Sequence, residues 1–397
     1  MNAPITRAVL VLCLLGGLLF LLSFVPVSFE QHAERIIRAC AKSEYRPACY
    51  DREIPKLMDQ GLSMEETFEV TRLVQERTEG YFYCHILGHK IAEKETAKDP
   101  SQWTQVIARC PSDVCSNGCL HGAAQERFRI DTPTPEQVEA VIPDLRGLCE
   151  PENGFSFTRL ERASCYHALG HLSMFLAGGD VEAATGICDA VAGRPGIDHE
   201  VTCYEGTFMQ IFQPLEPEDI ALVRDLPVAT KEEARAYCDS FTGDKRAACH
   251  RESRPLYGTL AQPNELEEFC SLVPGEIAKR DCYLAMFYVL APYFEYNIDD
   301  LTRLCAGVPT ERTAQCFANS AGRFVESDYR LADEAVALCH AAEEYGVGDA
   351  CYKELLYYSA FVFHEESVGF NALCSALPGE WGSRCRAGEG KELRYFE

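Results

Sequence analysis

Cys165-Tyr-His-Ala-Leu-Gly-His171 is the stretch around which the sequence is organised, and Cys84-His-Ile-Leu-Gly-His89 repeats its core upstream. Each segment carries two histidines at positions i and i+4, which a helix places on one face, one turn apart. Imidazoles at this spacing can hold one metal ion or share another ligand. The duplication therefore predicts two similar helices, each of which presents a pair of histidines.

The composition is that of a folded, acidic protein. With 397 residues, of which 47% are apolar, the chain can bury a large core in one to three domains. Sixty-one acidic residues oppose 37 basic ones and give a net charge of −24. Because DNA and RNA binding requires clustered Lys and Arg, we expect no nucleic-acid partner, and cations or basic partners are favoured instead. Solubility of an exported protein is the simpler explanation of this charge.

Cysteine usage indicates an oxidising compartment. The chain contains 21 cysteines, of which Cys13 lies in the leader segment and an even number, 20, follow it. Since no tandem of CxxC motifs indicates a zinc ribbon, we expect disulfides and a periplasmic or extracellular location.

An apolar segment near the amino terminus predicts a membrane anchor. Residues 8–27 form an uncharged, leucine-rich run of 20 residues, long enough to cross a bilayer as a transmembrane helix. Arg7 keeps residues 1–7 in the cytoplasm, which places everything after Ser28 outside. A cleaved signal peptide is the alternative, but the run is long for one and no small-x-small site follows it. We therefore expect a single-pass membrane protein that contacts the lipid bilayer through residues 8–27.

From Cys40 onward the chain is repetitive. Cysteines open probable helices at intervals of 33 to 46 residues, most of them close to 35, which is the length of a two-helix hairpin. Turn formers precede them, as in Cys270-Ser-Leu-Val-Pro-Gly-Glu276 before Cys282. The sequence thus predicts an all-α fold, a right-handed or irregular α-solenoid of about ten hairpin units. This period is similar to that of tetratricopeptide-type and Sel1-type solenoids, whose signature residues are not closely matched.

Disulfides are predicted to staple these hairpins. Each helix-opening cysteine except Cys84 has a second cysteine shortly before it, and antiparallel helices can bring two Cα atoms within the limit of about 7 Å. Each closed loop would stabilise the fold by roughly 2 to 3 kcal/mol. Cys84 and Cys115 remain and pair by elimination, although exchange among Cys110, Cys115 and Cys119 fits nearly as well. The predicted pairs are Cys40–Cys49, Cys84–Cys115, Cys110–Cys119, Cys149–Cys165, Cys188–Cys203, Cys238–Cys249, Cys270–Cys282, Cys305–Cys316, Cys339–Cys351 and Cys374–Cys385.

The hairpins differ along the chain, and this difference suggests a division into regions. Residues 1–7 form the cytoplasmic end and residues 8–27 the anchor. Residues 28–215 form a histidine-containing repeat region, and residues 216–397 form a region of plain disulfide hairpins.

Candidate metal ligands are confined to the first repeat region. His121, His167 and Glu205 each follow a helix-opening cysteine by two residues, and stacked units would align such positions along one surface. Glu93 extends the first histidine pair by one more turn. The candidate ligands are His85, His89, His121, His167, His171, Glu93, Glu126 and Glu205. Because imidazole and carboxylate suit zinc, iron or copper, we expect a divalent transition metal as the cofactor, if one binds.

Two alternatives to metal binding stay open. The histidines can instead hydrogen-bond inside a buried helix pair, and Gly88 and Gly170 would then permit close packing of that pair. The chain can also be a scaffold that presents a solenoid groove to another exported or membrane protein. No reaction is predicted: a zincin needs His-Glu-x-x-His, whereas Ile86 and Ala168 occupy the second position, and neither a Gly-x-Ser-x-Gly elbow nor a P-loop is present.

Overall fold

The protein is helical throughout the residues that the computed structural model describes. These are residues 27–78, 84–111, 114–115, 118–128, 134–150, 157–193, 199–214 and 217–393. No strand occurs among them, which confirms the all-α prediction. The chain divides into two compact units, residues 1–79 and 80–397. Both predicted repeat regions contribute to the second unit, and the boundary at 215/216 stays a prediction.

The predicted membrane anchor lies outside this description. Residues 1–7 and nearly all of the run 8–27 are not among the described residues. None of the helices in the described ranges combines the length and the apolar character that crossing a bilayer requires. The anchor therefore stays a prediction.

The first unit is built from short helices with strong start signals. Its helices are α1 (Phe29–Cys40), α2 (Arg46–Glu53), α3 (Lys56–Asp59) and α4 (Met64–Arg77). Helices α1 and α4 each begin with a capping box: the hydroxyls of Ser28 and Ser63 accept a backbone N–H, and the side chains of Gln31 and Glu66 bond back. These two helices pack together, and Phe68 is buried there.

The second unit continues with helices α5 to α22 and short 3-10 turns. The helices are α5 (His85–Thr96), α6 (Trp103–Ala108), α7 (Gly118–Phe128), α8 (Pro135–Leu148), α9 (Arg159–Leu176), α10 (Val181–Ala192), α11 (Glu200–Phe212), α12 (Pro217–Val223), α13 (Lys231–Cys238), α14 (Gly243–Glu252), α15 (Pro263–Cys270), α16 (Glu276–Tyr293), α17 (Ile298–Gly307), α18 (Thr310–Ser327), α19 (Ala332–Glu343), α20 (Gly348–Val362), α21 (Val368–Ala376) and α22 (Gly379–Arg386). The 3-10 turns are Pro100–Gln102, Arg254–Tyr257, Tyr329–Leu331 and Glu389–Lys391. A short helix often precedes a long one, as with α15 of 8 residues and α16 of 18.

Disulfides join the helices in the pairs that the cysteine spacing predicts. Among the described residues the bonds are Cys40–Cys49, Cys84–Cys115, Cys110–Cys119, Cys149–Cys165, Cys188–Cys203, Cys238–Cys249, Cys270–Cys282, Cys305–Cys316, Cys339–Cys351 and Cys374–Cys385. Their Cα–Cα distances run from 4.5 to 5.7 Å, inside the disulfide limit. The bond between Cys84 and Cys115 spans 31 residues and ties the start of α5 to the segment before α7. The exchanged pairing considered for Cys110, Cys115 and Cys119 is not the one observed.

The long helices of the second unit pack side by side into a ring. Helix α9 packs on α11, α11 on α14, α14 on α16, α16 on α18, and α18 on α20. Helix α9 also contacts α20, which closes the series. Arg159, at the start of α9, donates hydrogen bonds to the carbonyl oxygens of Gly390, Lys391 and Leu393 and ties this helix to the last described residues. The ring surrounds a cavity.

Helices α5 and α7 extend one side of this ring. Helix α7 packs on α9, and α5 packs on α7. Together with the ring helices they line a cavity of about 990 Å³, which is large enough for a small organic molecule. All of the predicted histidine ligands lie on α5, α7 and α9, so they reach the cavity from one wall.

Candidate metal centre

Glycines allow α5 and α7 to approach closely and so set the position of the first histidine pair. A Cβ atom on Gly118 would lie 2.2 Å from the carbonyl oxygen of His85, and one on Gly122 would lie 2.3 Å from that of His89. No other residue type fits at such distances. The two backbones are therefore in direct contact, and His121, between the two glycines, faces the histidines of α5.

Glycines also allow α9 and α11 to approach closely. A Cβ atom on Gly170 would lie 2.0 Å from the carbonyl oxygen of Cys203, and one on Gly206 would lie 2.0 Å from that of His167. Close packing of the motif glycines is thus observed, as the alternative interpretation of the motif requires. It does not compete with metal binding, because the imidazoles point into the cavity rather than into the helix contact.

Three imidazoles converge where α5 faces α7. The Nε2 atom of His85 lies 3.1 Å from Nε2 of His89 and 3.2 Å from Nδ1 of His121. All three residues offer ligand atoms within 4.8 Å of one another. A ring nitrogen has one in-plane position, which holds either a proton or a lone pair. His85 Nε2 can therefore form a hydrogen bond with only one of its two neighbours, whereas a cation could bond all three nitrogens.

A second hydrogen bond fixes the tautomer of His121. Its Nε2 atom lies 2.8 Å from the carbonyl oxygen of Ser164 on α9. A carbonyl oxygen only accepts, so Nε2–H donates and Nδ1 carries the lone pair that faces His85. Metal-binding histidines typically have their second nitrogen held in this way. The position of α9 thus orients a ligand that belongs to α7.

Burial favours the neutral form of His89 and His121. His121 is buried, and His85 and His89 are half-buried. Burial lowers the pKa of His89 and of His121 well below the ordinary histidine range, and the neighbouring imidazoles lower both further because adjacent positive charges would repel. Neutral imidazole is the form that binds metals.

The second histidine pair adjoins the first group without joining it. The ring of His121 lies 6.2 Å from that of His167 and 6.5 Å from that of His171, measured between centroids. His167 Nε2 instead contacts the sulfur of Met209 at 3.3 Å, and His171 Nδ1 donates to the side-chain oxygen of Gln210. Burial lowers the pKa of His167 as well. Five imidazoles therefore form one continuous wall.

The predicted carboxylate ligands lie outside this wall. Glu205 lines the cavity, but its carboxylate is 2.7 Å from the guanidinium of Arg251, which neutralises its charge. Glu93 lies one turn beyond His89, roughly 6 Å along the helix axis, and Glu126 is turned by roughly 140° from His121. Neither is among the described residues that line the cavity. The three-nitrogen group consequently contains imidazole alone.

Other charges that line the cavity are also paired. Arg254 contacts Glu252 at 2.9 Å, and Arg323 contacts Glu326 at 2.8 Å. Tyr288 donates a hydrogen bond to Glu326 from the same side. Burial raises the pKa of Glu252 and of Glu326, and the nearby arginines oppose that shift. A molecule in the cavity would therefore meet the five imidazoles together with paired charges and aromatic rings.

Several residues of the site were not predicted from the sequence. They are the carbonyl of Ser164, the side chains of Gln210 and Arg251, and Met209 as a neighbour of His167. One local signal points to the last of these: Gly118-Cys-Leu-His121 and Gly206-Thr-Phe-Met209 share a glycine three residues before the group that faces the histidine pair.

Comparisons with known proteins leave the family open. No protein-family model matches the chain, and no curated protein or solved structure is significantly similar to it. Only the geometry and chemistry of the site therefore indicate a function.

Proposed function

We propose that the protein binds a transition-metal ion through His85, His89 and His121. The contacts around His85 Nε2 carry this proposal, since two ring nitrogens lie 3.1 and 3.2 Å from it. Ligand bonds of about 2.0 to 2.1 Å at tetrahedral angles place neighbouring nitrogens roughly 3.3 to 3.4 Å apart. The ligand atoms of the third pair, His89 and His121, lie within 4.8 Å of each other, so these two side chains must close by up to roughly 1.5 Å to hold one ion.

The bound ion would have an open coordination position towards the cavity. Three protein ligands leave a fourth position for water or another molecule, as in catalytic rather than structural zinc sites. The cavity of about 990 Å³ gives room for that molecule beside the histidine wall. We infer that the protein brings a metal ion into contact with a small exchangeable ligand.

Imidazole ligands favour zinc, copper or iron. With Glu205 held by Arg251, a carboxylate contribution is not part of the proposed ligand set. Neutral imidazole ligands would leave the positive charge of the ion uncompensated at the site. The net negative charge of the surrounding protein would stabilise that charge.

We also propose that the protein acts outside the cytoplasm, held at the membrane by residues 8–27. The disulfides support an oxidising compartment, and the uncharged run with Arg7 before it supports the anchor and its orientation. Protease added to cells whose outer envelope has been made permeable should degrade the region after residue 28, whereas protection of the whole chain would contradict this orientation.

The ten-unit repeat array is part of the same proposal. Regular disulfide spacing and the alternation of short and long helices support hairpin units, and the contact of α9 with α20 would bend such an array into a closed ring. A scaffold that binds another exported or membrane protein is the second candidate from the sequence. If the protein is such a scaffold, its function should not require a metal ion.

Metal binding by matched variants tests the proposal. The full chain, produced in an oxidising compartment, is titrated with zinc, copper and iron in a calorimeter, together with His121→Ala and His340→Ala. His340 lies on the surface with 78% of its side chain exposed, so its removal controls for the loss of a histidine. We expect His121→Ala to weaken binding by roughly 100-fold or more and His340→Ala to leave it unchanged. Equal affinities of the two variants, or no binding of any of these metals by the unaltered chain, would refute the proposal and favour the scaffold.

A further inference from the structure

The helix pair α9–α11 repeats the geometry of the pair α5–α7. The carbonyl oxygen of His85 faces Gly118, and that of His167 faces Gly206, at 2.2 and 2.0 Å from the respective Cβ positions. Within each His-x-Leu-Gly-His motif the two imidazole centroids are 4.8 and 4.9 Å apart, with interplanar angles of 59° and 65°. The two crossings are therefore structurally equivalent.

Equivalent positions on the second helix of each pair carry His121 and Met209. Each stands three residues after the glycine at the crossing. His85 Nε2 lies 3.2 Å from His121 Nδ1, and His167 Nε2 lies 3.3 Å from Met209 Sδ. Met209 thus occupies, in the pair α9–α11, the position that the candidate metal ligand His121 occupies in the pair α5–α7.

We propose that His167, His171 and Met209 form a second metal site, which binds copper(I). A thioether is a soft ligand that favours Cu(I) over zinc or iron(II), and two neutral imidazoles complete a ligand set suited to a monovalent ion. This site stands on its own contacts and does not require an ion at His85, His89 and His121.

A hydrogen bond orients His171 as a metal ligand, in the same way that the carbonyl oxygen of Ser164 orients His121. The side-chain oxygen of Gln210 accepts from Nδ1–H of His171, so in the neutral imidazole Nε2 carries the lone pair. Gln210 is itself buried, with 3% of its surface exposed, which limits its movement. Such a partner for the non-ligating nitrogen is typical of metal-binding histidines.

The environment of Met209 differs from that of a methionine that only fills the core. Met174 and Met286 are completely enclosed, with 0% and 1% exposed, and neither lines the cavity. Met209 is half-buried and lines the cavity beside the imidazoles. Its sulfur contacts a ring nitrogen rather than only carbon atoms.

Copper(I) titration of three variants tests the second site. The full chain, Met209→Leu, Met174→Leu and His121→Ala are titrated with Cu(I) in ascorbate against a chromophoric chelator, and X-ray absorption reports sulfur bound to copper. Leucine replaces methionine with little change in volume, and Met174 lies on the same helix as His171 and controls for the substitution. We expect two Cu(I) per chain for the unaltered protein and Met174→Leu. Met209→Leu should bind one without a sulfur signal, and His121→Ala should bind one with that signal retained.

The outcomes separate the two sites. One Cu(I) in the unaltered chain that persists in Met209→Leu and disappears in His121→Ala would overturn the second site and leave the first. One Cu(I) that disappears in Met209→Leu and persists in His121→Ala would support the second site and show that the first does not bind copper(I). Two ions in Met209→Leu, with the copper spectrum unchanged, would also overturn the second site.

Discussion

Gly170→Ala should loosen the contact between α9 and α11 and weaken metal binding at the same time. The new Cβ would lie 2.0 Å from the carbonyl oxygen of Cys203 and 2.7 Å from the backbone nitrogen of Thr207. A carbon–oxygen contact needs roughly 3.3 Å, so the helices would have to separate by roughly 1.3 Å. Overpacking of this kind costs about 3 kcal/mol when neither side can yield, and both obstacles here are backbone atoms. Alanine regains about 1 kcal/mol through its better helix propensity, which leaves a net loss of about 2 kcal/mol.

Gly186→Ala is the matched control for this prediction. Gly186 lies in the exposed middle of α10, and a Cβ there meets no atom within 4 Å. The control should therefore stabilise the protein by about 1 kcal/mol. Thermal midpoints of the two variants should move in opposite directions, and calorimetric titration should show weaker Cu(I) binding in Gly170→Ala alone. A Gly170→Ala variant as stable as Gly186→Ala would refute the close helix contact.

Three further predictions concern other parts of the second unit. Burial raises the pKa of Glu354 to about 8. Its contribution to stability is therefore complete below the ordinary pKa of glutamate and is lost as the pH rises to about 8. Glu354→Gln should make the thermal midpoint less dependent on pH between pH 5 and 9, and an unchanged pH profile would contradict this. Replacing Cys84 and Cys115 by serine should cost about 3.5 kcal/mol for the 31-residue separation and lower metal content, measured by denaturation and elemental analysis. Arg159→Ala should increase hydrogen exchange in residues 389–393, which its guanidinium holds, and unaltered exchange would count against the ring closure.

Local sequence signals predicted the helices, the disulfides and the faces of the histidine pairs. The i, i+4 spacing of His85 and His89 is a property of one helix, and the disulfides link cysteines that are mostly 9 to 16 residues apart. Such features depend on neighbouring residues, so spacing and periodicity were sufficient. Elimination also indicated Cys84–Cys115, but spacing did not separate this pair from an exchange among Cys110, Cys115 and Cys119.

Features that depend on distant residues were not predicted. Repeat position placed Glu205 in line with His121 and His167, but Arg251, 46 residues later, binds its carboxylate. The Ser164 carbonyl that orients His121 comes from a different helix, 43 residues away. Equivalent positions in repeated units share a location, but the surrounding residues decide which of them can act as ligands.

The contact of α9 with α20 is a further long-range feature. It connects residues about 200 positions apart, as the contact between His364 Nε2 and a carboxylate oxygen of Glu161 at 3.1 Å also does. Hairpin period fixes how neighbouring units pack, but the curvature of the series depends on small differences at each contact. The cavity follows from that curvature and could not be inferred from the period.

Anomalous diffraction from crystals of the metal-loaded protein tests the central claim most directly. The arrangement of ring nitrogens predicts a peak within about 2.0 to 2.2 Å of His85 Nε2, His89 Nε2 and His121 Nδ1. Full metal occupancy elsewhere, with no peak among these three atoms, would contradict the proposed centre.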